Sequence, residues 1–127
     1  MFEITKAFRF EAAHQLPHLG DNHKCARMHG HNYYVAVILQ ADLLEQGMVE
    51  DYGVLSDTLG VWLKDTLDHR LLNDALVPFD LVAASMPTAE MLAKVIAHHI
   101  KLAYVWGSAL YAVTVAETHD TTATYYL

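Results

Sequence analysis

Phe2, Ile4, Phe8 and Phe10 alternate with Glu3, Thr5, Arg9 and Glu11. Apolar residues at every second position suit a strand with one face against a core. From His31 to Ala41 the chain is rich in tyrosine, valine and isoleucine, which predicts a second strand, apolar on both faces. Pro17 and Gly20 place a loop between the two, running through Met28. Beyond Gly47 the period changes. Leu55, Leu59, Trp62 and Leu63 fall at helical spacing, with Asp51 available as a cap. A loop containing Pro78 and Pro87 is expected next. Thr88 then caps a second helix whose stripe is Leu92, Val95, Ile96, His99 and Ile100. Gly107-Ser108 ends it. Leu110–Thr118 and Thr121–Leu127 read as two further strands joined by a turn at His119-Asp120.

The predicted fold is therefore α+β, a single domain over residues 1–127 in the order ββααββ. Hairpin pairing makes the four-stranded sheet antiparallel, with both helices on one face. Such a sheet has two bare edges, and pairing with another subunit is one way to cover them. Composition points the same way. Hydrophobic residues make up 54% of the 127 and charged residues 18%, which rules out disorder and is high for a small monomer.

The net charge of −7 argues against a nucleic-acid partner held by general electrostatics. One cysteine, Cys25, allows no disulfide within the chain. The first ten residues lack a charged segment followed by an apolar run, and Leu102–Ala116, the longest uncharged stretch, is too short to span a bilayer. The expectation is a cytoplasmic protein with no membrane partner.

Nine histidines stand out, and their placement matters more than their number. His29 and His31 are two apart, so on a strand both imidazoles face one way. Two neutral imidazoles on one face are a natural half of a Zn²⁺ site, and His14, just beyond the first strand, can supply a third ligand if strands one and two pair. Three protein ligands leave a fourth position open. Cys25, four residues before His29, has three readings: a small buried hydrophobe, a further metal ligand, or a thiolate base or nucleophile. Asp68-His69 can form a carboxylate–imidazole pair. Glu117 can sit in solvent or grip a planar, amidine-like edge through two parallel hydrogen bonds.

Taken in order, Phe10-x-Ala12-Ala13-His14, Cys25-x3-His29-Gly30-His31-Asn32-Tyr33, Gly47-Met48-Val49-x-Asp51-Tyr52, Leu67-Asp68-His69-x-x-Leu72-Asn73, Pro87-Thr88-x-Glu90 and Glu117-Thr118 span nearly the whole chain. In this pattern the sequence resembles the 6-pyruvoyl-tetrahydropterin synthase / 6-carboxy-tetrahydropterin synthase family. The resemblance implies the tunnelling fold, in which subunits pair by their sheet edges into a β-barrel. It implies a homo-oligomer, a hexamer built as a dimer of trimers, with active sites between subunits. It also implies Zn²⁺ on His14, His29 and His31, a catalytic thiol at Cys25, a partner dyad at Asp68 and His69, and a pterin-anchoring carboxylate at Glu117. Thr88 and Glu90 correspond to a second group near the pterin, although Glu90 also suits the first turn of a helix by charge alone.

Three residues between Cys25 and His29 resemble the bacterial 6-carboxy-tetrahydropterin synthases of queuosine biosynthesis, because the pyruvoyl-forming enzymes generally have a longer insertion there. The implied substrate is 7,8-dihydroneopterin triphosphate, cleaved to 6-carboxy-5,6,7,8-tetrahydropterin, acetaldehyde and triphosphate by a carbon–carbon lyase. Lys24 and Arg27 are the first candidates to meet the triphosphate. Two rivals stand beside this reading: the sister reaction without carbon–carbon cleavage, and a non-catalytic pterin- or metal-binding oligomer. A generic zinc hydrolase lacks support, since no glutamate follows a zinc histidine in the metalloprotease arrangement.

Overall fold

A computed structural model describes residues 1–127. The alternating start forms β1 (Phe2–His14), which pairs antiparallel with β2 (His29–Ala41) in a register running from Phe2↔Ala41 to His14↔His29. Both strands are longer than their apolar patterns predict. The pairing carries β1 through His14 and starts β2 at His29, so the histidine-bearing ends lie inside the sheet. The loop over 15–28 contains two short 3₁₀ turns, Pro17–Leu19 and Lys24–Ala26. It is tied across its neck by Leu16 N–H donating to the Cys25 carbonyl at 2.9 Å.

Helical structure begins at α1 (Tyr52–Leu55), where the Asp51 carboxylate accepts from Gly53 N–H at 2.7 Å. It runs through a π-type turn over Ser56–Gly60 into α2 (Val61–Thr66). Leu55, Leu59, Leu63 and Leu67, four apart, are all buried. That is the stripe a helix needs to seat on a sheet. A two-residue strand, β3 (Arg70–Leu71), then lies parallel to β1 at Ala12↔Arg70 and Ala13↔Leu71.

The stretch expected as loop holds two short helices, α3 (Leu72–Ala75) and α4 (Leu81–Ser85). Each is too brief to show a period in the sequence, and α4 is started by Asp80, which accepts from Val82 and Ala83 N–H. Thr88 caps α5 (Ala89–Ala103) by accepting from Met91 N–H at 3.2 Å. Beyond α5 the chain doubles back so tightly that a Cβ on Gly107 would lie 2.5 Å from the Ile100 carbonyl oxygen, and only glycine fits. β4 (Leu110–Ala116) and β5 (Thr122–Tyr126) complete the sheet.

The strand order is β3-β1-β2-β4-β5. The four long strands are antiparallel as predicted, and the sheet has five strands rather than four because β3 joins β1. One sheet face, with Phe10, Tyr33, Val35, Val37, Leu39, Val113 and Val115, packs on Leu92, Ile96, Ile100 and the leucine stripe of α1 and α2. Fully burying one such side chain stabilises by about 1.5–3 kcal/mol, so this layer dominates the fold's stability. No helix is long and apolar enough to cross a membrane.

Candidate metal centre and cleft

The antiparallel register sets His14 directly opposite His29, and the two-residue strand period puts His31 on the same face. That face is the buried one, and His14 is fully enclosed. The three rings meet edge to face, with centroids 4.5 to 5.0 Å apart. One ligand atom from each lies within 4.8 Å of the others, so this set can hold a metal ion. Cys25 is not part of that set.

Hydrogen bonds behind the rings decide which nitrogens are free. His14 Nδ1–H donates to the Pro87 carbonyl at 2.7 Å, and His29 Nδ1–H donates to the Arg27 carbonyl at 2.7 Å. Both rings therefore carry their lone pairs on Nε2, and these two nitrogens face each other at 3.0 Å. His31 Nε2 is buried with no hydrogen-bond partner. Two facing lone pairs with a third unpartnered ring nitrogen nearby form a set that can hold a cation. Burial holds His31 below the usual histidine range, the Glu117 carboxylate opposes this, and the neighbouring His14 and His29 add to it. A neutral ring is the form that ligates.

The Tyr33 hydroxyl lies 3.1 Å from His14 Nδ1, sharing that N–H with Pro87. Its ring stacks on Phe10 at 5.2 Å and meets His14 and His31 edge on. Burial, with the Glu117 carboxylate adding to it, pushes the phenol well above the usual tyrosine range and keeps it neutral. Glu117 follows β4 directly. Its carboxylate oxygens lie 3.6 Å from His31 Nε2 and 3.9 Å from His14 Nε2.

A cleft of about 1150 Å³ opens beside this centre, lined by His31, Tyr33, Glu117, Asp68, His69 and Glu11 among others. Asp68 and His69 do form a pair, with Oδ2 3.0 Å from Nδ1. The Glu11 N–H donated to Asp68 Oδ1 at 2.9 Å holds the Asp68 carboxyl below the usual carboxylate range, and His69 contributes in the same direction. His69 itself has a left-handed backbone (φ 57°), fixed where the chain turns into β3.

The other predicted residues stand apart from this cleft. Cys25 sits half-buried on the Lys24–Ala26 turn, with its N–H donated to His23 Nδ1 at 3.1 Å. Lys24 and Arg27 are exposed on the same loop and make no ion pair, while the Arg27 main chain serves His29. Thr88 spends its hydroxyl on the α5 cap, and Glu90 is exposed in the first turn of α5. None of these five lines the cleft of the single protomer. Tyr33 and Pro87 stand in the motifs of the resemblance without a role of their own, and Glu11 has none either. Tyr33 reads as strand core and Glu11 as a solvent-facing strand position, and a carbonyl has no sequence signature.

The family model described as 6-pyruvoyl tetrahydropterin synthase matches residues 3–127. A Synechocystis protein named 6-carboxy-5,6,7,8-tetrahydropterin synthase is 40% identical, over 99% of this chain and 94% of its own. A Halobacterium salinarum protein named as a probable 6-carboxy-5,6,7,8-tetrahydropterin synthase is 32% identical, over 93% of this chain and 82% of its own. Among solved structures, Caenorhabditis elegans 6-pyruvoyl tetrahydropterin synthase superposes with a TM-score of 0.85 at 31% identity, covering 99% of this chain and 95% of that one.

Proposed function

Because this chain belongs to the 6-pyruvoyl tetrahydropterin synthase family, we propose that it is a zinc-dependent 6-carboxy-5,6,7,8-tetrahydropterin synthase. The observation that carries the reading is the convergence of one ring nitrogen from each of His14, His29 and His31, with carbonyls taking the Nδ1 protons of the first two. The donor set suits zinc. Three imidazole nitrogens from His14, His29 and His31 are a donor set that would hold this ion. When bound, zinc supplies Lewis-acid polarisation of the substrate's side-chain hydroxyl groups.

The remaining work falls to the chain's own groups. Cys25, as thiolate, removes a proton from the side-chain carbon next to the pterin ring of 7,8-dihydroneopterin triphosphate. His69, oriented by Asp68, gives or takes protons at the other face. Glu117 anchors the amidine-like edge of the pterin, and Thr88 and Glu90 stand as a second group for the ring. Lys24 and Arg27, unpaired on the loop that carries Cys25, meet the triphosphate.

The protein works as a cytoplasmic homohexamer, a dimer of trimers. Two features support the pairing of subunits. β5 has one unpaired edge, and β3 covers β1 only at Ala12 and Ala13. The separation of Cys25 from the cleft holding Asp68 and His69 also fits a site completed by a neighbouring subunit.

Incubating the zinc-loaded protein with 7,8-dihydroneopterin triphosphate and identifying products by mass spectrometry tests the reading. Acetaldehyde with 6-carboxytetrahydropterin is the expected result. A 6-pyruvoyl product without acetaldehyde would assign the sister reaction, the activity named for the C. elegans neighbour. No conversion would leave a pterin- or metal-binding oligomer.

A further inference from the structure

Glu11 touches the Asp68–His69 pair at three points, and neither the resemblance nor the proposed chemistry gives it a role. Its N–H donates to Asp68 Oδ1 at 2.9 Å, and its carbonyl accepts from His69 N–H at 2.6 Å. Its side-chain Oε2 lies 3.4 Å from His69 Nε2. A carboxylate oxygen thus lies beside each ring nitrogen, from Asp68 at Nδ1 and from Glu11 at Nε2. All three residues line the cleft that also contains His31 and Glu117.

The first two bonds are made by the Glu11 main chain, one to the Asp68 side chain and one to the His69 main chain. They occur one residue before β1 begins to pair with β3. The side-chain contact is different. His69 and Glu11 side chains are 73% and 63% exposed, and a contact so open to water contributes little to folding stability. Once substrate fills the cleft and excludes that water, the same carboxylate bears more strongly on the orientation of the outward nitrogen.

We propose that Glu11 is a positioning residue of the Asp68–His69 pair, its carboxylate keeping His69 Nε2 toward the cleft while substrate is bound. This rests on the proton-transfer role given to His69 above. Small displacements of a reacting group cost on the order of a hundredfold in rate, so loss of the Glu11 carboxylate should be read in turnover.

The test uses the zinc-loaded full chain with Glu11→Ala, Glu11→Asp and His69→Ala, measured for turnover of 7,8-dihydroneopterin triphosphate, thermal midpoint and the rate of His69 carbethoxylation by diethyl pyrocarbonate, located by peptide mass spectrometry. Glu11→Ala is expected to lower kcat about 10- to 100-fold with KM changed less than about threefold. The thermal midpoint should hold, His69 should be modified several-fold faster, and Glu11→Asp should recover part of the rate. The inference is overturned if Glu11→Ala keeps kcat within about twofold of the parent, or if its loss lies wholly in KM or in a lowered thermal midpoint. His69→Ala separates the two ideas. If it is inactive while Glu11→Ala is not, only the Glu11 role falls. If it turns over like the parent, the catalytic reading of His69 fails and takes the Glu11 role with it.

Discussion

The molecule holds two groups of histidines that meet opposite fates. At the end of β1 and β2, His14, His29 and His31 meet edge to face, and carbonyls behind His14 and His29 claim Nδ1. On α5, His99 lies flat on Trp62, with centroids 4.0 Å apart, and its Nε2 meets the Tyr104 hydroxyl at 3.1 Å. Phe79 approaches edge on. Burial acts on both groups, holding His31 and His99 below the usual histidine range. What separates them is the company of the second nitrogen. Where a carbonyl takes one ring N–H and the other lone pair faces its like, the ring is free to hold a metal ion. Where aromatic faces cover the ring and a hydroxyl takes the nitrogen, it is packing.

The largest break in this contrast should come from His29→Ala. Removing one of three ligands is expected to abolish zinc retention and lower kcat/KM by about 10³-fold or more, seen by metal analysis and product assay. His99→Phe should leave both untouched. Cys25→Ala should keep zinc and still lose about 10²- to 10⁴-fold in turnover. Zinc loss in that variant would make Cys25 a ligand and end the mechanism proposed for it.

Tyr33→Phe sharpens the contrast at smaller scale. It removes the hydroxyl beside His14 Nδ1 but leaves Pro87 in place, so zinc affinity by chelator competition should fall about 10-fold, at the lower end for a supporting partner.

The smallest effect belongs to the aromatic cluster. Unfolded, His99 takes a proton near its ordinary value of about 6.5, whereas burial resists that proton in the folded chain. The unfolded state then binds more protons, so stability is lost as pH falls below about 6.5. In the metal-free protein His31 has the same sign. Thermal midpoints of parent and His99→Phe, compared at neutral and mildly acidic pH, should therefore show the parent losing a few degrees more on acidification. Equal losses would mean the stacked ring titrates freely.

Much of this architecture could be read along the chain because it is local. Alternation at Phe2 to Phe10, the leucine stripe from Leu55 and the caps Asp51 and Thr88 each depend on residues within a turn or two of one another. The structure keeps all of them. β3, α3 and α4 could not be read, since two to five residues isolated between other elements do not repeat a period. β3 exists only because β1 offers it hydrogen bonds.

The site divides in the same way. His29 and His31 share a face by strand geometry alone, which His-Gly-His states directly. That His14 faces His29, that Pro87 and Arg27 turn both lone pairs inward, and that Glu11 meets His69 across 58 positions are products of sheet register and chain return. Periodicity is a property of neighbours in sequence, so one chain of letters carries it. Which nitrogen is free depends on a partner brought from far along the chain, and only the folded packing chooses that partner.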